Sequence, residues 1–242
     1  MTTLLIATRN AHKAGEIQAI LGKNVRCLTL KEFPDAPAVV EDAGTFAGNA
    51  AKKAVELARW LSIASPVTRH LSPAFVLADD SGLEVDALAG APGVHSARFA
   101  ALDWSADGSS ASSAGNTPDA DNNAKLLRLL KAVPSEKRTA RFHCVIALVA
   151  VPVGRIEVAS PVCYADEFEP RTFDGVCEGR IIFGPRGKNG FGYDPLFVPV
   201  GFEQTFAELG DEEKNKISHR SKALAKLKVH LRGSQALEPG TG

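Results

Sequence analysis

The apolar run Phe75-Val-Leu-Ala78 passes without a break into Asp79-Asp80-Ser81-Gly82. Four consecutive apolar residues bounded by turn-forming ones read as a buried strand. Two adjacent carboxylates then lie at its end, a common position for ligands in α/β proteins, and they require a compensating charge. Two readings stand at this point. Hard cations such as Mg²⁺ use one or two protein carboxylates plus phosphate oxygens, with Glu41-Asp42 at the end of another short strand as a third source. The alternative is an acidic turn that caps a helix.

Around this segment the pattern alternates. Thr3 to Thr8 reads as a strand and loop, Gly15 to Leu21 as a helix, and Val25 to Leu30 as a second strand. Phe33 to Pro37 is a proline-marked loop leading to Val39-Val40-Glu41-Asp42. From Phe46 to Ile63, Ala50, Ala54, Leu57, Ala58 and Leu61 recur at three and four residue steps, which predicts an amphipathic helix. Ser65 to Ser72 reads as a loop. Asp103 to Asp121 is polar, without a basic residue, and reads as a flexible surface insertion. A helix is expected from Asn122 to Ala132, and strands at Ala140 to Val151, Ile156 to Val162 and Gly175 to Ile182. A last helix is expected from a Ser218 cap to Leu231, followed by an unpaired tail after Arg232.

The 242 residues suit one α/β domain, with no internal repeat. The 28 basic and 28 acidic residues cancel, so no global field favours nucleic acid or an anionic membrane, and an anionic ligand needs a local cluster. The first fifteen residues carry no secretory pattern and no apolar stretch is long enough to span a bilayer, which together predict a cytoplasmic protein. Cys27, Cys144, Cys163 and Cys177 lack metal-ligand spacing and read as buried reduced thiols. His12, His70, His95, His143 and His230 form no metal-binding pair, and neither a GxSxG nor a Cys/His dyad is present.

Three further clusters can meet an anion or a base. Thr8-Arg9-Asn10-Ala11-His12-Lys13 lies between a strand and a helix, where backbone N–H groups favour a phosphate; a solvated turn explains it equally well. Gly184 to Gly190 is a glycine-rich loop that delivers Phe191-Gly192-Tyr193-Asp194, where an aromatic ring can stack on a base or simply pack in the core. Lys214, His219 and Arg220 collect at an expected helix start, either as a cationic site or as a solvated charged turn.

Taken in order, six blocks resemble one family, the inosine triphosphate pyrophosphatases that act on non-standard purine nucleotides (XTP and dITP). They are Thr8-x-Asn-x-x-Lys13, Glu41-Asp-x-x-Thr-Phe-x-x-Asn-Ala-x-x-Lys-Ala54, Asp79-Asp-Ser-Gly-Leu83, Gly90-Ala-Pro-Gly-Val-His-Ser-Ala-Arg98, Gly190-Phe-Gly-Tyr-Asp-Pro195 and Lys214-x-x-Ile-Ser-His-Arg220. The resemblance implies an α/β fold with a long mixed central sheet flanked by helices, two lobes with a substrate cleft between them, and a homodimer. It implies hydrolysis of ITP, dITP or XTP to the monophosphate and pyrophosphate, which removes such nucleotides before they enter DNA and RNA.

By the same resemblance, Thr8, Arg9, Asn10, Ala11, His12, Lys13 and Lys53 hold the phosphates. Glu41 and Asp80, with Asp79 as a further candidate, bind Mg²⁺, and Asp80 is the general base with Ser81 beside it. Phe191, Gly192, Tyr193, Asp194, Lys214, His219 and Arg220 form the base pocket, with Arg220 as donor to a purine O6 and Asp194 as acceptor from a ring N–H. The segments Asp103 to Asp121 and Ser65 to Ser72 are longer than the family pattern. Two other readings stay open: a pyrophosphatase of modified pyrimidine nucleotides, and a nucleotide-binding regulator without turnover.

Overall fold

The computed structural model describes residues 2–63, 73–102, 115–152 and 168–235. Six strands, β1 (Thr2–Ile6), β2 (Val25–Thr29), β3 (Phe75–Val85), β4 (Thr139–Ala150), β5 (Arg171–Ile181) and β6 (Phe197–Pro199), form one sheet in the order β2-β1-β3-β4-β5-β6. β1 pairs in parallel with β2 and with β3, while β5 and β6 are antiparallel, so the sheet is mixed as expected. The helices are α1 (Ala11–Leu21), α2 (Phe46–Ile63), α3 (Asp119–Leu129), α4 (Phe206–Ile217) and α5 (His219–Gln235).

The chain divides into two units and crosses between them after Asp80, His143, Gly175 and His219. In the first unit, successive strand side chains leave opposite faces. Leu4, Ile6, Leu77, Ile146 and Leu148 share one face with Ile17 and Leu21 of α1 and with Ala223, Leu224, Leu227 and Leu231 of α5. Leu5, Val76 and Ala78, buried as completely, belong to the other face. On that side α2 buries Phe46, Asn49, Ala50, Ala54, Leu57 and Ala58, at the helical spacing the sequence predicts.

The second unit is organised around Leu83, Val85, Leu126, Phe142, Phe197 and Phe206. Phe142 meets Phe197 edge-on at 4.8 Å. The buried Arg138 donates to the carbonyls of Leu130, at 2.7 Å, and Val133, at 2.9 Å, which satisfies the end of α3 and the turn after it.

Several expected boundaries move. The run Phe75 to Ala78 is only the apolar start of an eleven-residue strand, because Asp79 and Asp80 are 1% and 7% exposed and paired within the protein instead of turning outward. No strand forms at Val39 to Asp42; the neighbouring backbone N–H of Ala43 bonds to Asn49 Oδ1 at 2.8 Å instead of a ladder. The helix expected at Asn122 starts at Asp119, where two acids in the first turn complement the helix dipole. The strand expected at Gly175 starts at Arg171, and the last helix runs past Leu231 to Gln235.

Ser218 ends α4, a helix the apolar pattern does not announce. Its signature is nevertheless present, since Thr205 and Glu208 form a capping box. Lys214 thus lies in the last turn of α4 and not at a helix start. The expected loop at Ser65 to Ser72, the strand at Ile156 to Val162, Cys163, residues 103–114 of the insertion and the tail from 236 onward lie outside the described residues.

Leu77 is fully buried between α1 and α5. Leu77→Ala is expected to destabilise the protein by about 2–5 kcal/mol, read as a lower urea midpoint with an unchanged slope.

Candidate active site

Asn10 caps α1: its Oδ1 accepts from the backbone N–H of His12 at 2.9 Å and of Lys13 at 3.1 Å. Thr8 Oγ1 accepts from the Asn10 N–H at 3.2 Å, and Arg9 donates to the Ala36 carbonyl at 3.1 Å. A cavity of about 570 Å³ opens here, lined by Thr8, Arg9, Asn10, Ala11, Gln18 and Glu32 among others. The segment is a capped helix start, exposed at Arg9, Asn10, Ala11 and His12, and Asn10 already serves two of the N–H groups an anion could use.

Asp79 and Asp80 are neighbours on β3, so the alternation sends them to opposite faces of the sheet. Asp79 lies with α1 and α5. Its Oδ1 is 2.7 Å from Lys13 Nζ, its Oδ2 accepts from Arg220 Nε at 2.9 Å, and the Cys144 thiol donates to the same oxygen at 3.1 Å. Arg220 Nη1 also pairs with Glu16. Burial pushes the Asp79 carboxyl up, but Arg220 and Lys13 together outweigh it and hold the group well below the usual carboxylate range. Burial likewise pulls Lys13 down, and Asp79 more than restores it, so the ammonium keeps its charge. Cys144 is pushed well above the usual thiol range by burial and by Asp79.

Asp80 turns toward α2, where Asn49 Nδ2 donates to its Oδ2 at 3.0 Å. Lys53 of the same helix pairs with Glu41 at 2.9 Å and donates to the Asp79 carbonyl at 3.2 Å. Burial, helped by the Glu41 charge and opposed by Lys13 and Lys53, raises the Asp80 carboxyl to about 6. Two acids in one field, one of them held above its ordinary value, are a donor set that fits a hard divalent cation. Among the described residues, no group of three or more potential metal ligands occurs. The structure therefore brings Glu41 and Asp80 together electrostatically and directs Asp79 to the other face, among cations.

Two residues of this arrangement carry no assignment from sequence. Asn49 lies on the apolar stripe of α2 and Glu16 beside Ile17 on the buried side of α1, and a polar group on a buried stripe needs a partner. That signal marks both.

The second unit carries the aromatic segment. Asp194 is 2% exposed, and its Oδ2 accepts from the Phe191 N–H at 2.9 Å and from Lys214 Nζ at 2.5 Å. Gly190, at φ 75°, admits no side chain, since a Cβ would stand 2.2 Å from Asp194 Oδ2. Lys214 Nζ lies 4.5 Å from the centroid of the half-buried Phe191 ring. Tyr193 is buried and donates its hydroxyl to the Ser96 carbonyl at 2.9 Å, and burial raises its phenol. His219 stacks on Phe142 at 4.8 Å and 12°. Ser81 follows Asp80 on β3, half-buried.

One expected role changes. Asp194 does not present an open carboxylate; it holds the turn and Lys214 from beneath. Arg220 is 1% exposed, with its guanidinium committed to Asp79 and Glu16, and Lys214 and His219 are buried as well, at 2% and 4%.

The model of the Ham1 family matches residues 4–230. The dITP/XTP pyrophosphatase of Geobacillus kaustophilus is 46% identical over 228 residues, 94% of this chain and 93% of that protein. Its counterpart in Geobacter sulfurreducens is 47% identical over 239 residues, covering 98% and 100%. Among solved structures, a HAM1 protein from Coxiella burnetii superposes with a TM-score of 0.72 at 35% identity, covering 96% of this chain and 100% of that one. The Staphylococcus aureus Ham1 protein gives 0.70 at 32% identity, with the same coverage.

The raised Asp80 carboxyl has a stability consequence. Folded protein binds that proton near pH 6 and unfolded chain near 3.8, so the ionised form costs stability above about pH 6, and the cost fades as pH falls through 6 toward 3.8. In metal-free protein, Asp80→Asn is expected to raise the melting temperature at pH 8 by about 2–6 °C, and to lose most of that gain by about pH 4.5. Thermal melts across this range check it; a gain that grows toward low pH contradicts it.

Proposed function

Because the chain belongs to the Ham1 family, we propose that it hydrolyses the triphosphates of non-standard 6-oxo purines, dITP, XTP and ITP, to the monophosphate and pyrophosphate. The observation that carries the chemistry is the division of labour on β3. Asp79 gathers Lys13 and Arg220, while Asp80, raised to about 6, faces Glu41 and is fixed by Asn49.

Glu41 and Asp80 would hold Mg²⁺, which neutralises charge on the attacked phosphate when bound. Asp79 then serves as an anchor for cations and not as a third ligand. The Asp80 carboxylate orients a water and takes its proton as oxygen bonds to the α-phosphorus and the bridging oxygen leaves with pyrophosphate. Without metal the group lies near 6, and a cation held beside it would lower that value and keep the carboxylate ionised at neutral pH. Lys13 and Lys53 supply positive charge to the phosphates, with Thr8, Arg9, Asn10, Ala11 and His12 contributing at the start of α1, and Ser81 lies next to the base on the strand.

Phe191 offers a ring face to the purine, on the turn formed with Gly192, Tyr193 and Asp194. Lys214, with three N–H donors of which Asp194 engages one, stands beside the Phe191 ring as a donor to O6 together with Arg220, and His219 borders it. Adenine presents an amino group where O6 would accept. A site built around donors then leaves them unpaired, a penalty that typically discriminates by about 10⁴-fold. A homodimer follows the family resemblance. Among the described residues no helix is long and apolar enough to cross a membrane, and the balanced charge favours no nucleic acid.

With Mg²⁺, ITP is expected to give IMP and pyrophosphate, with dITP and XTP turned over and dUTP, dTTP and ATP left nearly intact. Asp80→Asn should lower kcat by at least about 100-fold while preserving the circular dichroism spectrum. IDP and orthophosphate as first products, or equal turnover of dTTP, overturn this reading.

A further inference from the structure

Gly192 is gripped by its backbone from one helix. Its N–H donates to Asp119 Oδ2 at 2.6 Å, and its carbonyl accepts from Asn123 Nδ2 at 3.0 Å. Asp119 and Asn123 are four residues apart, so they project from one face of α3. Gly192 lies at φ 61° without a side chain, so its two peptide groups are the handles by which its conformation can be fixed.

The helix that grips it is itself fixed. Asn122, 2% exposed, accepts from the Ala100 N–H at 2.8 Å and from Thr117 Oγ1 at 2.7 Å. Lys125, 7% exposed, donates to the carbonyl of Phe99 at 2.7 Å. Both tie α3 to the 3-10 segment Gly93–Ala101. Tyr193 closes the triangle through Ser96 in the same segment. The turn is thereby held from α3 at Gly192, from the 3-10 segment at Tyr193, and from Asp194 at the Phe191 N–H.

We propose that Asp119 and Asn123 are specificity-determining positioning residues: by clamping Gly192 they set the plane of the adjacent Phe191 ring against Lys214, and so the slot for the planar base of the nucleotide. The inference rests on the proposed pyrophosphatase reading and deepens it. It gives α3 a part in base recognition that neither its sequence nor its distance of about seventy residues from Phe191 announces. A purely structural role for Asp119 also exists, since an acid in the first turn of a helix interacts favourably with its dipole. The two roles respond differently to substitution. Asn at position 119 loses the charge but keeps an acceptor for the Gly192 N–H, whereas Ala loses both.

The test compares Asp119→Ala, Asp119→Asn and the nearly isosteric Asn123→Asp, which removes the donor to the Gly192 carbonyl. Steady-state kinetics with ITP and ATP, calorimetric binding of IMP without metal, and thermal melts are measured on the full chain. Asp119→Ala and Asn123→Asp are expected to raise KM for ITP and Kd for IMP about tenfold, with kcat within about twofold of the parent. The ITP-over-ATP preference should fall with them. Asp119→Asn should keep KM and Kd within about twofold, although it melts as low as Asp119→Ala. Equal effects of Asp119→Ala and Asp119→Asn on KM, or a loss of kcat at constant KM, overturn the proposal. If Asp119→Ala does not fold, Asn123→Asp decides by the same criterion. Failure of the parent protein to hydrolyse ITP or bind IMP is a separate result, which removes the pyrophosphatase reading itself.

Discussion

A β-strand cannot aim two consecutive side chains at one target, and that constraint organises the first unit. Asp79 and Asp80 leave β3 on opposite faces, so each meets a different helix layer and a different chemistry. One face collects Lys13, Arg220 and Glu16 from α1 and α5, where charge is neutralised in the interior. The other holds Asp80 against Asn49, where burial, more than the Glu41 charge, raises the carboxyl against the pull of Lys13 and Lys53. The strand thus separates a carboxyl held well below its usual range from one raised to about 6. Removing either partner of a buried pair is far more costly than replacing both, so the first cluster is rigid in its composition.

The parts of the chain legible from sequence are those in which apolar periodicity and burial coincide. Phe46 to Ile63 is read to the residue, because its buried stripe repeats over five turns. β3 is read short, because Asp79 and Asp80 carry no apolar signal, and their partners come from elsewhere in the chain, Lys13 and Arg220 for Asp79 and Asn49 for Asp80. No local pattern announces a partner that far along the chain. α4 escapes periodicity because Gly210 kinks it, with φ 77°, and only its capping box survives as a local sign.

The candidate site shows the same division. The six sequence blocks name most of the residues, since their types suit phosphate, metal and base chemistry. Their geometry is another matter. Arg220 and Asp194 both read as groups that reach a ligand, and both are buried organisers of other side chains, Arg220 of Asp79 and Asp194 of Lys214. Asp119 reads as part of a polar insertion and proves to be the first residue of a helix that holds Gly192. In each case the missing information is a long-range hydrogen bond, which residue type permits but does not specify.

The neutral cluster of Lys13, Glu16, Asp79 and Arg220 also bears on how such a chain can vary. Two cations and two anions share one largely buried volume, and changing any one of them leaves an odd charge among its neighbours. Single steps therefore descend into a valley that paired steps avoid, which is strong epistasis in genetic terms. The four positions, scattered over some two hundred residues of sequence, are thereby coupled in energy as one unit.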